Sequence, residues 1–183
     1  VDLNMGCPQK KITGVGSGAG LLRDPEKAVR IAEAVVRSVS IPVTVKIRLG
    51  WDPASPVAEW LATRFEAVGV AALTVHGRTR AQAFTGKADW EAIARVVRAV
   101  KTLPIIGNGD VISPATALEL LTLTGCQGLM IGRGALKRPW LFRDIARALA
   151  GLPPCLPPTP EEMHAWASLQ LEERKKLYGE KGA

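Results

Sequence analysis

Apolar runs of strand length alternate with stretches of helical periodicity along almost the whole chain. Ile41 to Leu49 (IPVTVKIRL) is a β-branched run that stops at Gly50-Trp51, and Val70 to Val75 (VAALTV) is another that stops at His76-Gly77-Arg78. Pro104 to Ile106 leads into Gly107-Asn108-Gly109-Asp110, and Gly128 to Ile131 into Gly132-Arg133-Gly134. The chain opens on a similar run, Val1-Asp2-Leu3, which ends in Asn4-Met5-Gly6-Cys7-Pro8. Between these runs the spacing changes. Asp24-Pro25 reads as an N-cap followed by proline in the first helical position, and Ala28, Ile31, Ala32, Val35, Val36 and Val39 then fall on one stripe. Helices are likewise expected from Ser55-Pro56 to about Val68, from about Ala88 to Lys101, from Ser113-Pro114 to about Leu123 and from Pro139 to Ala150. Gly14, Gly16, Gly18 and Gly20 mark a loop, either flexible or close to a ligand. It has neither a P-loop ending nor a clean dinucleotide fingerprint.

Five strands, each followed by a helix, imply parallel pairing with right-handed crossovers. In every unit the unusual polar residues fall at the C-terminal end of the strand: Cys7, Lys46 and Arg48, His76 and Arg78, Asn108 and Asp110, and Arg133. That rim is where (β/α)8 barrels build their sites, whereas a doubly wound sheet binds ligands at a switch point. With no Rossmann fingerprint after the first strand, the pattern favours an α/β fold made of the last five βα units of a partial TIM barrel over residues 1–150. A full barrel takes about 250 residues, so three further strands are expected on the N-terminal side. Residues 151–160 (GLPPCLPPTP) read as a stiff proline-rich linker. Thr159 and Glu162 form a capping box, and residues 161–183 are expected to start a helical domain.

Composition narrows the class. The chain has 183 residues, 47% of them apolar, and no apolar run approaches the roughly 18 residues of a membrane span. Its three cysteines, Cys7, Cys126 and Cys155, are too few and too irregular for a disulfide framework or a zinc ribbon. A cytoplasmic protein without a metal is expected. The formal net charge of +7 favours a polyanionic partner, a weak signal by itself.

Cys7, delivered onto a loop by a strand, is the candidate acid of a reductive reaction on a bound flavin. Lys46 stands in an otherwise apolar strand and needs an acceptor, either a flavin ring or a neighbouring carboxylate. His76 lies beside Arg78 and Arg80, whose guanidinium forks suit phosphate; a solvated loop histidine is the alternative. The Asn108-Gly109-Asp110 and Gly132-Arg133 turns, on consecutive units, together suggest a phosphorylated cofactor.

Asn4-Met5-Gly6-Cys7-Pro8, Val45-Lys46-Ile47-Arg48, His76-Gly77-Arg78, Asn108-Gly109-Asp110 and Gly132-Arg133 resemble, in the same order, the signatures of the tRNA-dihydrouridine synthases, with the bacterial branch the nearest in pattern. The resemblance implies an FMN-binding barrel followed by a helical tRNA-binding domain, with NADPH as reductant. It implies that Cys7 protonates C5 of the target uracil while hydride arrives at C6. It further implies that Lys46 and His76 face the flavin, that Asn108, Gly109, Asp110, Gly132 and Arg133 hold its phosphate, and that Asn4 lies near the substrate base. Arg78 and Arg80 are candidate RNA contacts. The alternatives are a flavin barrel acting on a small molecule, of the dihydroorotate or dihydropyrimidine dehydrogenase type, and an inactive RNA-binding fragment.

Overall fold

The computed structural model describes residues 1–179. Its first unit, Val1–Gly151, is built in chain order from β1 (Asp2–Met5), α1 (Lys10–Thr13), a 3-10 turn (Gly18–Arg23), α2 (Pro25–Ser38), β2 (Thr44–Arg48), α3 (Ala58–Ala67), β3 (Ala72–His76), α4 (Trp90–Ala99), β4 (Ile105–Asn108), α5 (Pro114–Thr124), β5 (Gly128–Met130), α6 (Arg133–Lys137) and α7 (Leu141–Leu149). All strand pairs are parallel, and the sheet order is β1-β2-β3-β4-β5. A sequential order with a helix in each main return is the wall of a barrel; a doubly wound sheet would reverse direction at a switch point. The fold is therefore α/β, a five-stranded part of a TIM barrel.

Strand periodicity divides the sheet into two faces. Val45, Ile47, Leu73, Val75 and Ile105 are fully buried in one core with Ala28 and Ala32 of α2, Leu61 and Phe65 of α3, Ile93 and Val96 of α4, and Leu120 of α5. Each large side chain buried there contributes about 1.5–3 kcal/mol. The alternate positions, Asn4, Lys46, Arg48, His76 and Asn108, fall on the other face, which is the barrel interior.

Several helix starts are local and match their sequence cues. Asp24 Oδ1 accepts from the Lys27 amide at 3.0 Å, and Ser113 and Thr116 form a reciprocal capping box ahead of α5. Three expectations change. Ser55-Pro56 does not cap a helix: the Ser55 hydroxyl donates to Asp52 Oδ1 at 2.7 Å, Pro56 bridges Gly50, and α3 starts two residues later, with the Val57 and Ala58 amides donating back to the Leu49 carbonyl. The glycine-rich stretch is packed rather than loose, because Ala19 between its last two glycines and Leu21 and Leu22 directly after them are apolar anchors and are buried. The Gly132-Arg133-Gly134 turn runs directly into α6, whose five residues are too few to show a period.

The second unit begins at Leu152. Its helix α8 (Pro160–Tyr178) starts on the Thr159–Glu162 capping box, with Thr159 N donating to Glu162 Oε2 at 2.8 Å, and carries no buried residue. Residues 180–183, the end of the segment expected to open a helical domain, lie outside the described residues. Among the described residues no helix is long and apolar enough to cross a membrane.

Candidate active site

Parallel register assembles the site. Asn4 pairs with Lys46, and Arg48, His76, Asn108 and Met130 follow one another across β2 to β5 in a single row. All six line one cleft of about 720 Å3, together with Cys7, Phe84, Gly109, Asp110, Gly132 and Arg133. A one-residue slip of any strand would turn its member of the row towards the helices.

Cys7 is held by its neighbours' polar groups. Asn4 Oδ1 accepts from the Gly6 and Cys7 amides, at 3.1 Å each, closing an Asx turn at the end of β1. The Cys7 carbonyl accepts from Ala19 N at 3.0 Å, and a Cβ on Gly18 (φ 55°) would stand 2.9 Å from that carbonyl, so only glycine admits this approach. The thiol itself is half-buried at the mouth of the cleft. Asn4 thus orients the Cys7 loop through its oxygen, and its side-chain amide nitrogen has no partner among the described residues.

The floor is cationic and partly dry. Burial first, and Arg48 second, push the Lys46 ammonium down to about 8; it has no hydrogen-bond partner among the described residues. Burial, with Arg48, Lys46 and Arg78 nearby, pushes His76 down to about 3, so its ring is neutral at physiological pH. Arg78 Nη1 lies 3.4 Å from His76 Nε2, and since a guanidinium only donates, the ring proton is assigned to Nδ1. Arg48 is 2% exposed. Its Nε donates to Gly6 O at 2.9 Å and its Nη1 to Thr79 O and Ala83 O at 3.0 and 2.7 Å, tying the cysteine loop to the loop after β3. Burial and Arg78 lower its pKa to about 10, which leaves it charged.

Arg78 is not on the surface. It is 2% exposed and donates to Thr85 O, Gly86 O and Asp110 Oδ2 at 3.1, 2.6 and 2.9 Å. With the approach to His76, four of its five N–H groups face partners inside the protein. Arg80 lies outside the cleft, stacked on Trp51. Within the turns at 108–110 and 132–133 the side chains have internal duties. Asn108 Nδ2 donates to Met130 O at 2.7 Å, joining β4 to β5. Asp110 accepts from Arg78 and from Ala88 N, with Arg133 Nη2 3.6 Å from its other oxygen; these contacts hold its carboxyl below the ordinary value against the opposing pull of burial.

The sequence reading left Arg48 and Phe84 without a role. Arg48 is two residues beyond Lys46 and so on the same strand face, a signal that was available. Phe84 is 49% exposed, lines the cleft, and lies 4.9 Å from the Arg133 guanidinium carbon and 5.4 Å from that of Arg48. Only a lone aromatic in a polar loop hinted at it.

The charge of the cleft suits an anionic ligand. Lys46, Arg48, Arg133, Lys137 and Arg138 line it against two carboxylates, Asp2 and Asp110. The Cα of Gly132 faces open space, with no atom within 4 Å of where a Cβ would stand, so a ligand can approach the backbone there. Comparison with known proteins agrees in family. A family model described as dihydrouridine synthase matches residues 1–182. A probable tRNA-dihydrouridine synthase of Rhodobacter capsulatus is 46% identical over 179 residues, 98% of this chain and 55% of that protein. One from Rhizobium leguminosarum is 51% identical over 148 residues, 81% of this chain and 46% of that protein. tRNA-dihydrouridine synthase B of Pseudomonas aeruginosa is 47% identical over 145 residues, 79% of this chain and 43% of that protein. The chain spans about half the length of the curated relatives it matches. It belongs to the dihydrouridine synthase family.

Proposed function

We propose that this chain carries the reaction centre of an FMN-dependent, NADPH-consuming enzyme that reduces uridine to 5,6-dihydrouridine in tRNA. The observation that carries the reading is the convergence of Cys7, Lys46, His76 and Arg133 on one cationic cleft in a chain of this family. The names of the relatives supply tRNA as the substrate class. Bound FMN supplies the hydride that reaches C6 of the uracil. Lys46 would meet the electron-rich edge of the ring, since an ammonium this desolvated gains most from an acceptor. Neutral His76, with its proton on Nδ1, is a donor in the same cleft. Arg133 and the backbone at Gly109 and Gly132 would hold the phosphate.

The half-buried Cys7 thiol lines the cleft and is the proton donor in this reading. As C6 gains hydride, C5 takes the proton from Sγ; solvent then restores the thiol. The Arg48 guanidinium interacts favourably with the negative thiolate. Asn4 fixes the loop from which the proton is delivered. The base must leave its stack to reach this cleft, as enzymes acting on bases require.

The test is dihydrouridine content of tRNA from a host lacking its own synthases, supplied with the protein bearing Cys7 or Cys7→Ala. Wild type restores dihydrouridine, and Cys7→Ala lowers the rate about 10²–10⁴-fold with flavin content retained. No dihydrouridine from the wild type would overturn the reading; undiminished modification by Cys7→Ala would remove the cysteine from it.

A further inference from the structure

We propose that Arg23, Trp51 and Arg80 form a docking site for the phosphate backbone of RNA, beside the cleft and separate from it. The inference rests on the tRNA reading above and names a contact surface for that substrate. Arg23 ends the 3-10 turn that backs the Cys7 loop, Trp51 follows β2 and Arg80 follows β3, so three loops meet on the C-terminal rim. None of the three lines the cleft.

The guanidinium carbons of Arg23 and Arg80 lie 3.7 and 4.3 Å from the Trp51 ring. Two like charges are therefore held within about 8 Å of each other, one Debye length at physiological salt. Neither arginine forms an ion pair among the described residues. The carboxylates next to them in the chain are engaged locally: Asp24 accepts from Lys27 N, and Asp52 from Ala54 N and the Ser55 hydroxyl.

The contrast with the other rim arginines is what gives the pair meaning. Arg48 and Arg78 are each 2% exposed and each donate three hydrogen bonds to carbonyls or a carboxylate at 2.6–3.1 Å, which hold the fold together. Arg80 has only a 3.5 Å approach to Thr13 Oγ1, and its buried Nε has no acceptor among the described residues, while the side chain as a whole is half-buried. Trp51 stacking orients both guanidinium planes in advance, so little freedom remains to be lost when an anion arrives. Thr13 closes α1, on which Lys10 and Lys11 are exposed; the positive surface therefore continues towards Cys7. A nucleotide drawn into the cleft by its base leaves its flanking phosphates outside the cleft. A backbone of repeated phosphates is the partner that meets several unneutralised cations in sequence.

The test measures tRNA dissociation constants by filter binding between 50 and 200 mM KCl, with thermal midpoints as the folding control. Arg23→Gln/Arg80→Gln is expected to weaken binding about tenfold and to lower the slope of log K against log salt by about 1 to 2. Arg23→Lys/Arg80→Lys keeps that slope, because the charges remain. Trp51→Leu weakens binding a few-fold with the slope retained, and Trp51→Phe recovers it. Wild-type affinity and slope in the glutamine double variant would overturn the site. So would a loss confined to poly-glutamate with tRNA binding intact, which would point to an acidic protein partner. Either result with dihydrouridine still formed leaves the tRNA reading standing; absence of dihydrouridine from the wild type defeats that reading instead.

Discussion

Single residues in this protein are separated by what each donor finds to bond. Lys46 finds nothing, and its charge is destabilising in the unliganded fold. Its pKa falls from an ordinary 10.5 to about 8. Between those values the unfolded chain binds more protons than the folded one, so stability should rise with pH across that window. Lys46→Met should flatten the rise and add about 2 kcal/mol at neutral pH, read from urea unfolding at pH 7 and pH 10, while weakening flavin binding. Arg78 is the opposite case. Arg78→Ala removes the Asp110 carboxylate's nearest cation and leaves two carbonyls without their donor, and about 3 kcal/mol of stability should be lost; Arg98→Ala, at an exposed pair, should cost under about 1 kcal/mol in the same measurement. Sequence could identify Arg78 as unusual but could not tell a substrate contact from a buried clamp. The deciding partners, Thr85, Gly86 and Asp110, reach it through tertiary structure.

At the level of elements, what was legible was whatever a helix or strand decides within a few residues. The Asp24-Pro25 start, the Ser113 box and the Thr159 box are closed by neighbours three positions away. The failures are contacts of long range or competing short turns. Ser55 had the composition of a cap, but Asp52 captured its hydroxyl first. Glu66, near the end of α3, shows the long-range case. Its Oε1 accepts from Lys101 N, Thr102 N, Leu103 N and the Thr102 hydroxyl at 2.6–3.0 Å, capping the turn before β4 from 35 to 37 residues away. These donors, the Thr102 amide foremost, hold its pKa down to about 2 from an ordinary 4.5. The stabilisation is present above pH 4.5 and lost as pH falls towards 2. Acid titration followed by circular dichroism should show Glu66→Gln losing less stability than wild type over that interval.

For the molecule as a whole, the sheet ends among the described residues at β1 and β5, and the cleft has five strands as its floor. The barrel class follows from strand order, which the βαβ alternation made legible; closure of the pocket does not follow from this chain. The 183-residue chain alone should therefore retain FMN weakly, and stoichiometric flavin absorbance after gel filtration would contradict that. The row Arg48, His76, Asn108 and Met130 also has a consequence in time. Its backbone amides belong to the strand ladder, those of Arg48, His76 and Asn108 on inner strands and that of Met130 on the end strand β5, whereas the walls of the site, residues 78–88 and 132–138, are loops and a single short helix. Hydrogen exchange should find the floor among the slowest amides and both walls among the fastest. A ligand would then enter and leave by movement of the walls over a floor that stays still, and its residence time would be set by the walls rather than by the floor.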